Sequence, residues 1–178
     1  MSIGQTIGKT MNNGFAGSYS RQPDQIIDPH AAGGEINFGD VVAYNNGKVV
    51  AIPTLMLQVS TLTASTLQAS EFVGIATRET KSATSYLNQN VGSYVEGEAV
   101  PVMKRGRVNV ICQNGTPALN GDVYMRTDTN SSYPNAVVGG LEAAEDAGKT
   151  VKLTNAKWRG AADGNGVAEL SILTQLNA

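Results

Sequence analysis

The chain has 178 residues, a formal net charge of −2, one His, one Cys, 20 glycines and only 16% charged residues. No run approaches the roughly 18 apolar residues of a membrane-spanning helix, and a single Cys leaves no internal disulfide framework. The slightly acidic balance argues against a protein that coats nucleic acid, and one His with one Cys leaves little material for a transition-metal centre.

Residues 1–34 read as an extended arm. Gly4, Gly8, Gly14, Gly17, Gly33 and Gly34 punctuate it, Pro23 and Pro29 interrupt it, and Ile26-Ile27 is its one compact apolar pair. Such a stretch buries too little apolar surface to offset its own ordering entropy. It is expected to be disordered or laid across a partner. Its first residues lack the cationic and apolar regions of a secretory signal.

From Glu35 the pattern changes to short apolar runs between turn residues, and 35–178 read as one β domain. Val41–Tyr44, the turn Asn45-Asn46-Gly47 and Lys48–Ile52 predict a β-hairpin, because Asn and Gly accept positive φ. Pro53 ends that strand or confines it to an edge. Residues 54–71 read as a strand entering a long loop, Phe72–Thr77 as a strand, 79–90 as a polar connection and Val91–Val95 as another strand. Ala99–Gln113 carries the clearest signal. Val100, Val102, Val108, Val110 and Cys112 share one parity and Arg105, Arg107, Asn109 and Gln113 the other, which is the period of a strand. Gly106 interrupts it and predicts a bend or bulge. Asp122–Thr127 reads as a short strand, and Leu141–Asp146 as at most two helical turns. Val151–Arg159 and Val167–Leu173 around the loop 160–166 predict a second hairpin. Many short strands with Gly/Asn turns indicate an all-β fold, a small barrel or sandwich with long loops behind the extended N-terminal arm.

Little of the sequence suggests catalysis. A Cys–His pair would have to join Cys112, which continues a buried parity, to His30 in the arm. The Gly-rich loop 160–166 lacks the lysine and following helix of a phosphate loop. Asp163 and Asn165 in that loop suit a hairpin turn better than calcium. Three units, Gly39-Asp40, Gly97-Glu98 and Gly121-Asp122, each precede a strand, and their acids are expected to accept backbone hydrogen bonds at turns. Lys104-Arg105-Gly106-Arg107 forms either a solvated strand face or a contact for an acidic partner. Trp158 belongs either to the core or to a subunit interface.

The order of motifs resembles the cement, or decoration, proteins of tailed-bacteriophage heads. The resemblance rests on Gly14-Phe15-Ala16-Gly17-Ser18-Tyr19-Ser20-Arg21, Ile36-Asn37-Phe38-Gly39-Asp40-Val41-Val42, Phe72–Arg78, Tyr94–Val108 with its basic turn, Asn120–Tyr124, Asn155–Trp158 and Gly166–Leu170. It implies a non-enzymatic virion protein on the outer surface of the capsid, bridging neighbouring copies of the major capsid protein and stabilising the expanded head. It further implies a homo-oligomer, with a trimer favoured, and no cofactor, metal, nucleic acid or membrane. Contacts to the capsid or to other subunits are expected from Phe15, Tyr19, Arg21, Ile26, Ile27, Lys104, Arg105, Arg107 and Trp158. A carbohydrate-binding or host-adhesive β module displayed on a virion is the alternative reading.

Overall fold

The structure, a computed structural model, describes residues 12–59, 61–79 and 92–174. In chain order the elements are β1 (Tyr19–Ala31), β2 (Ile36–Asn37), β3 (Val41–Asn45), β4 (Lys48–Ala51), helix α1 (Ile52–Gln58), β5 (Gly74–Ala76), β6 (Ser93–Tyr94), β7 (Ala99–Ile111), β8 (Asp122–Arg126), β9 (Leu141–Glu142), β10 (Thr150–Trp158) and β11 (Val167–Ile172). The fold is all-β, as the sequence predicts. One sheet runs β4-β3-β5-β7-β11-β10-β8-β9 and curls into a half-barrel, with β1 added on β7 and β2-β6 forming a separate pair.

The hairpin turns follow their chemistry. Asn46 and Gly47 take φ of 49° and 78° between β3 and β4, as a tight turn matching strand twist requires. The loop 160–166 joins β10 to β11, whose pairing sets Trp158 opposite Leu170 and Ala156 opposite Ile172. On β7 the valines at 100, 102, 108 and 110 are buried as their parity predicts, but Met103 and Asn109 are buried as well, because β7 is covered on both faces. Cys112, just past the strand, is half-buried against the main core.

Two stretches differ from expectation. Residues 54–71 do not continue a strand: α1 starts directly after β4, and a short 3-10 turn follows at Ala69–Glu71. Pro53 sits in the first turn of α1, where its fixed φ suits a helix and its missing N–H costs nothing. Ile52 and Leu55, three apart, then share the buried side of that helix. Leu141–Asp146 is not helical either; Leu141 and Glu142 form β9 against Met125 and Tyr124 of β8. Most of the 79–90 connection, from Thr80 on, lies outside the described residues.

The arm also turns out differently along part of its length. From Tyr19 to Ala31 it is β1, and the surface it lies across is this chain's own β7. The pairing is discontinuous: Tyr19 and Arg21 face Val108 and Arg107, the register then breaks, and Ile26–Ala31 face residues 105 to 99. β5 and β11 flank β7 on opposite sides, β5 at Val102–Met103 and β11 at Gly106–Ile111. β1 therefore pairs on the β5 side at its start and on the β11 side at its end, and it changes sides over Gly106. Gly106 has φ +128°, and a Cβ there would lie 2.9 Å from the Asp24 carbonyl oxygen. The expected irregularity at Gly106 is thus the place where one strand crosses another.

The main core gathers Val41, Ile75, Met103, Val108, Met125, Leu153, Trp158 and Leu170, with Tyr19 and Ile27 of β1 packed partly against it. Beneath β8–β10 lies a polar cluster that the sequence does not announce. Arg126 and Glu142 are both fully buried and ion-paired, Asp146 reaches Arg126 at 3.1 Å, and Asn114 donates to Glu142 at 3.2 Å. The indole N–H of Trp158 donates to the Glu142 carbonyl at 3.3 Å.

Three carboxylates are held below their ordinary value of 3.8: Asp122 by hydrogen bonds from Lys152 and Lys157, Asp128 by Lys149, and Asp146 by Asn130 and then Arg126. A pKa lower in the folded than in the unfolded chain adds stability above the unfolded value. That stability is lost as pH falls through the folded values. Thermal unfolding followed by circular dichroism is accordingly expected to show a melting temperature that drops steadily below about pH 4. An unchanged melting temperature from pH 5 to pH 2 would contradict these ion pairs.

Candidate functional site

β7 separates His30 from Cys112. His30 pairs beside Val100 at one end, while Cys112 follows Ile111 at the other, about 40 Å away along an extended strand. His30 instead meets the Tyr44 hydroxyl at 3.1 Å, and burial lowers its pKa. Burial raises the Cys112 thiol. The Asp163 carboxylate is taken up by backbone N–H groups of Asn13, Asn165 and Val167, which makes its loop a turn closed by its own acid. Of the three Gly-acid units, Asp40 and Glu98 accept from the backbone N–H three residues before them, at 2.9 and 2.8 Å. Asp122 differs, pairing with Lys152 and Lys157.

The side-chain concentration that stands out is an open groove of about 500 Å³ beside the β1–β7 crossing. Arg21, Asp24, Arg105, Gly106, Arg107, Arg159, Ser171, Ile172 and Leu173 line it. The register of β11 against β7, Ser171 opposite Arg107 and Ile172 opposite Gly106, brings these distant segments together. Two carboxylates engage the groove's cations. Asp24 meets Arg105 at 3.2 Å, and Glu169 meets Arg21 at 3.2 Å and Arg107 at 3.4 Å. Arg159 donates to Asn120 Oδ1 at 2.8 Å. The basic turn is therefore partly neutralised from within the chain.

The nine residues expected to make contacts divide by position. Arg21, Arg105 and Arg107 meet in the groove. Lys104 faces the other side of the strand, 2.8 Å from Asp28 and 5.5 Å from the Tyr44 ring. Burial works against its charge, but the bonds to Asp28 and Tyr44 outweigh burial and raise its pKa. Phe15 is 68% exposed and stacks on Arg78, which also covers Phe38. Ile26 is half-buried, and Ile27 and Tyr19 rest partly on the chain's own core. Burial and the adjacent Glu79 carboxylate push the Tyr19 phenol up to about 12. Trp158 does not reach the surface: it is 0% exposed, so its place is the core and not an interface.

Sequence reasoning missed Asp24, Arg159 and Glu169. None of them belongs to the run Lys104–Arg107, and only the pairing of β1, β7, β10 and β11 brings them to it.

A family model described as "Structural cement protein (E217 gp24/Pam3 gp6)" matches residues 3–173. Among solved structures, a chain from "The capsid of Myoviridae Phage XM1" is similar, with a TM-score of 0.64 and 16% identity over 99% of this chain and 100% of that one. No curated protein matches the chain.

Proposed function

The chain belongs to the structural cement protein family of phages, and we propose that it sits on the outer surface of the head, bridges neighbouring major capsid subunits and stabilises the expanded shell. Its coarse role, a structural protein of the virion, follows from that membership. The observation that carries the finer reading is the extent of the match, which takes in the arm and the β domain together. A cement protein needs a rigid body and surface groups to grip with. Here β1, anchored on β7, holds Arg21 and Ile26 at or near the surface beside Arg107 and Arg105, and Phe15 stands exposed just before it against Arg78.

Each such contact is weak alone. A closed oligomer, a trimer by preference, engages several capsid subunits at once and gains avidity. The work is mechanical, and none of it calls for bond-making chemistry.

Heads assembled with and without the protein test this. Heated in parallel, those lacking it are expected to release their genome at a lower temperature, and adding purified protein back is expected to restore the difference. Equal resistance in both would overturn the stabilising role.

A further inference from the structure

We propose that the arginine groove at the β1–β7 crossing is a docking site for a short acidic peptide segment of a neighbouring head protein. This rests on the reading above and names the chemistry of its partner.

The argument begins with charge. Four guanidinium groups, Arg21, Arg105, Arg107 and Arg159, meet at the groove, against two carboxylates, Asp24 and Glu169. The whole chain is net negative, so this local excess of cations is not a general surface property. Among the described residues Arg159 meets no carboxylate, and its Nε is buried without any acceptor. Glu169 is shared by two arginines at 3.2 and 3.4 Å, longer than a good charge-assisted bond. The groove thus has cationic donors that the chain itself does not saturate.

Shape and lining then choose among anions. No lining residue is aromatic, so single-stranded nucleic acid would find no stacking platform. At one end the half-exposed Leu173 offers an apolar contact beside the guanidiniums. An acidic segment carrying an apolar neighbour fits both features. Its carboxylates take bidentate bonds from arginine and displace Asp24 and Glu169, which occupy those donors in the meantime.

The test uses the full chain and two defined probes, a blocked hexaglutamate peptide and a hexathymidylate oligonucleotide, followed by amide chemical shifts. The peptide is expected to bind saturably, weakening with salt, with shifts centred on Arg21, Arg105, Arg107 and Arg159. Arg159→Gln or Arg21→Gln is expected to weaken it about tenfold, the size of one or two lost charge-assisted bonds. No saturable binding, shifts centred elsewhere, or tighter binding of the oligonucleotide overturns the proposal. The two variants answer for each other, since Arg21 is largely exposed and its loss leaves the core intact. A second arm adds wild type and the Arg21→Gln/Arg159→Gln double variant to heads lacking the protein. Equal binding of both removes the groove from the contact and leaves the cement role standing. Hexaglutamate binding by a wild type that ignores the heads keeps the groove and removes the cement role.

Discussion

Glu142→Ala is expected to lower folding stability by about 3–5 kcal/mol, the usual effect of breaking a buried ion pair by removing one partner. For a domain of this size that corresponds to a fall in melting temperature of roughly 6–20 °C. The cause is desolvation. Arg126 is fully buried and would keep only Asp146 and the Asp128 carbonyl, both at 3.1 Å, leaving its Nε and one terminal nitrogen without acceptors. Asn114 would lose its acceptor too. The bond from Trp158 goes to the main-chain oxygen of residue 142 and survives the change. The double replacement Arg126→Met with Glu142→Leu separates this account from simple damage to packing. Swapping both charges for apolar side chains of similar size is often neutral or stabilising, so the double variant is expected to recover most of the loss. Circular dichroism melts of the two proteins decide it: a double variant no better than the single one would refute the ion-pair explanation.

That cluster also marks where sequence reasoning runs out. Periodicity finds β7 because thirteen residues give alternation room to show. It cannot find β9, a strand of two residues, and Leu-Glu-Ala-Ala-Glu-Asp has the composition of a helix. β9 pairs with Tyr124 and Met125 of β8, where Glu142 meets the buried Arg126 sixteen positions earlier in the chain. The turns, by contrast, are local, and Asn46-Gly47 and Asp163–Gly166 show themselves without help from the rest of the chain. The arm sits between these cases. Its composition predicts that it needs another surface to order on, but the strand that receives Tyr19–Ala31 lies some seventy residues further on. The groove is the same problem again. The basic turn is legible as Lys104–Arg107, whereas Arg21, Arg159 and Glu169 join it only through long-range register, which no local pattern encodes.

Gly106→Val carries the other large effect, expected at roughly 2–6 kcal/mol from backbone strain and overpacking combined. At φ +128° only glycine sits without strain, and the added Cβ would lie 2.9 Å from the Asp24 oxygen and 3.0 Å from Gln25 Cβ. Those atoms belong to the crossing chain, so β1 has to lift from β7. Gly47→Ala supplies the comparison: its φ is +78°, yet nothing lies within 4 Å of the added carbon. It incurs the backbone strain alone, about 1–3 kcal/mol. The excess loss at Gly106 therefore measures the crossing. Lifting β1 also moves Arg21 and Asp24 away from Arg105 and Arg107, which dismantles the groove. Below its melting temperature the Gly106→Val protein is thus expected to bind heads more weakly than wild type, while Gly47→Ala binds normally. Urea unfolding gives the stability difference and a head-binding assay gives the second. Equal losses at both glycines would mean that β1 does not cross β7 there. Full head binding by a destabilised Gly106→Val would mean that the crossing holds the fold together without presenting the contact surface.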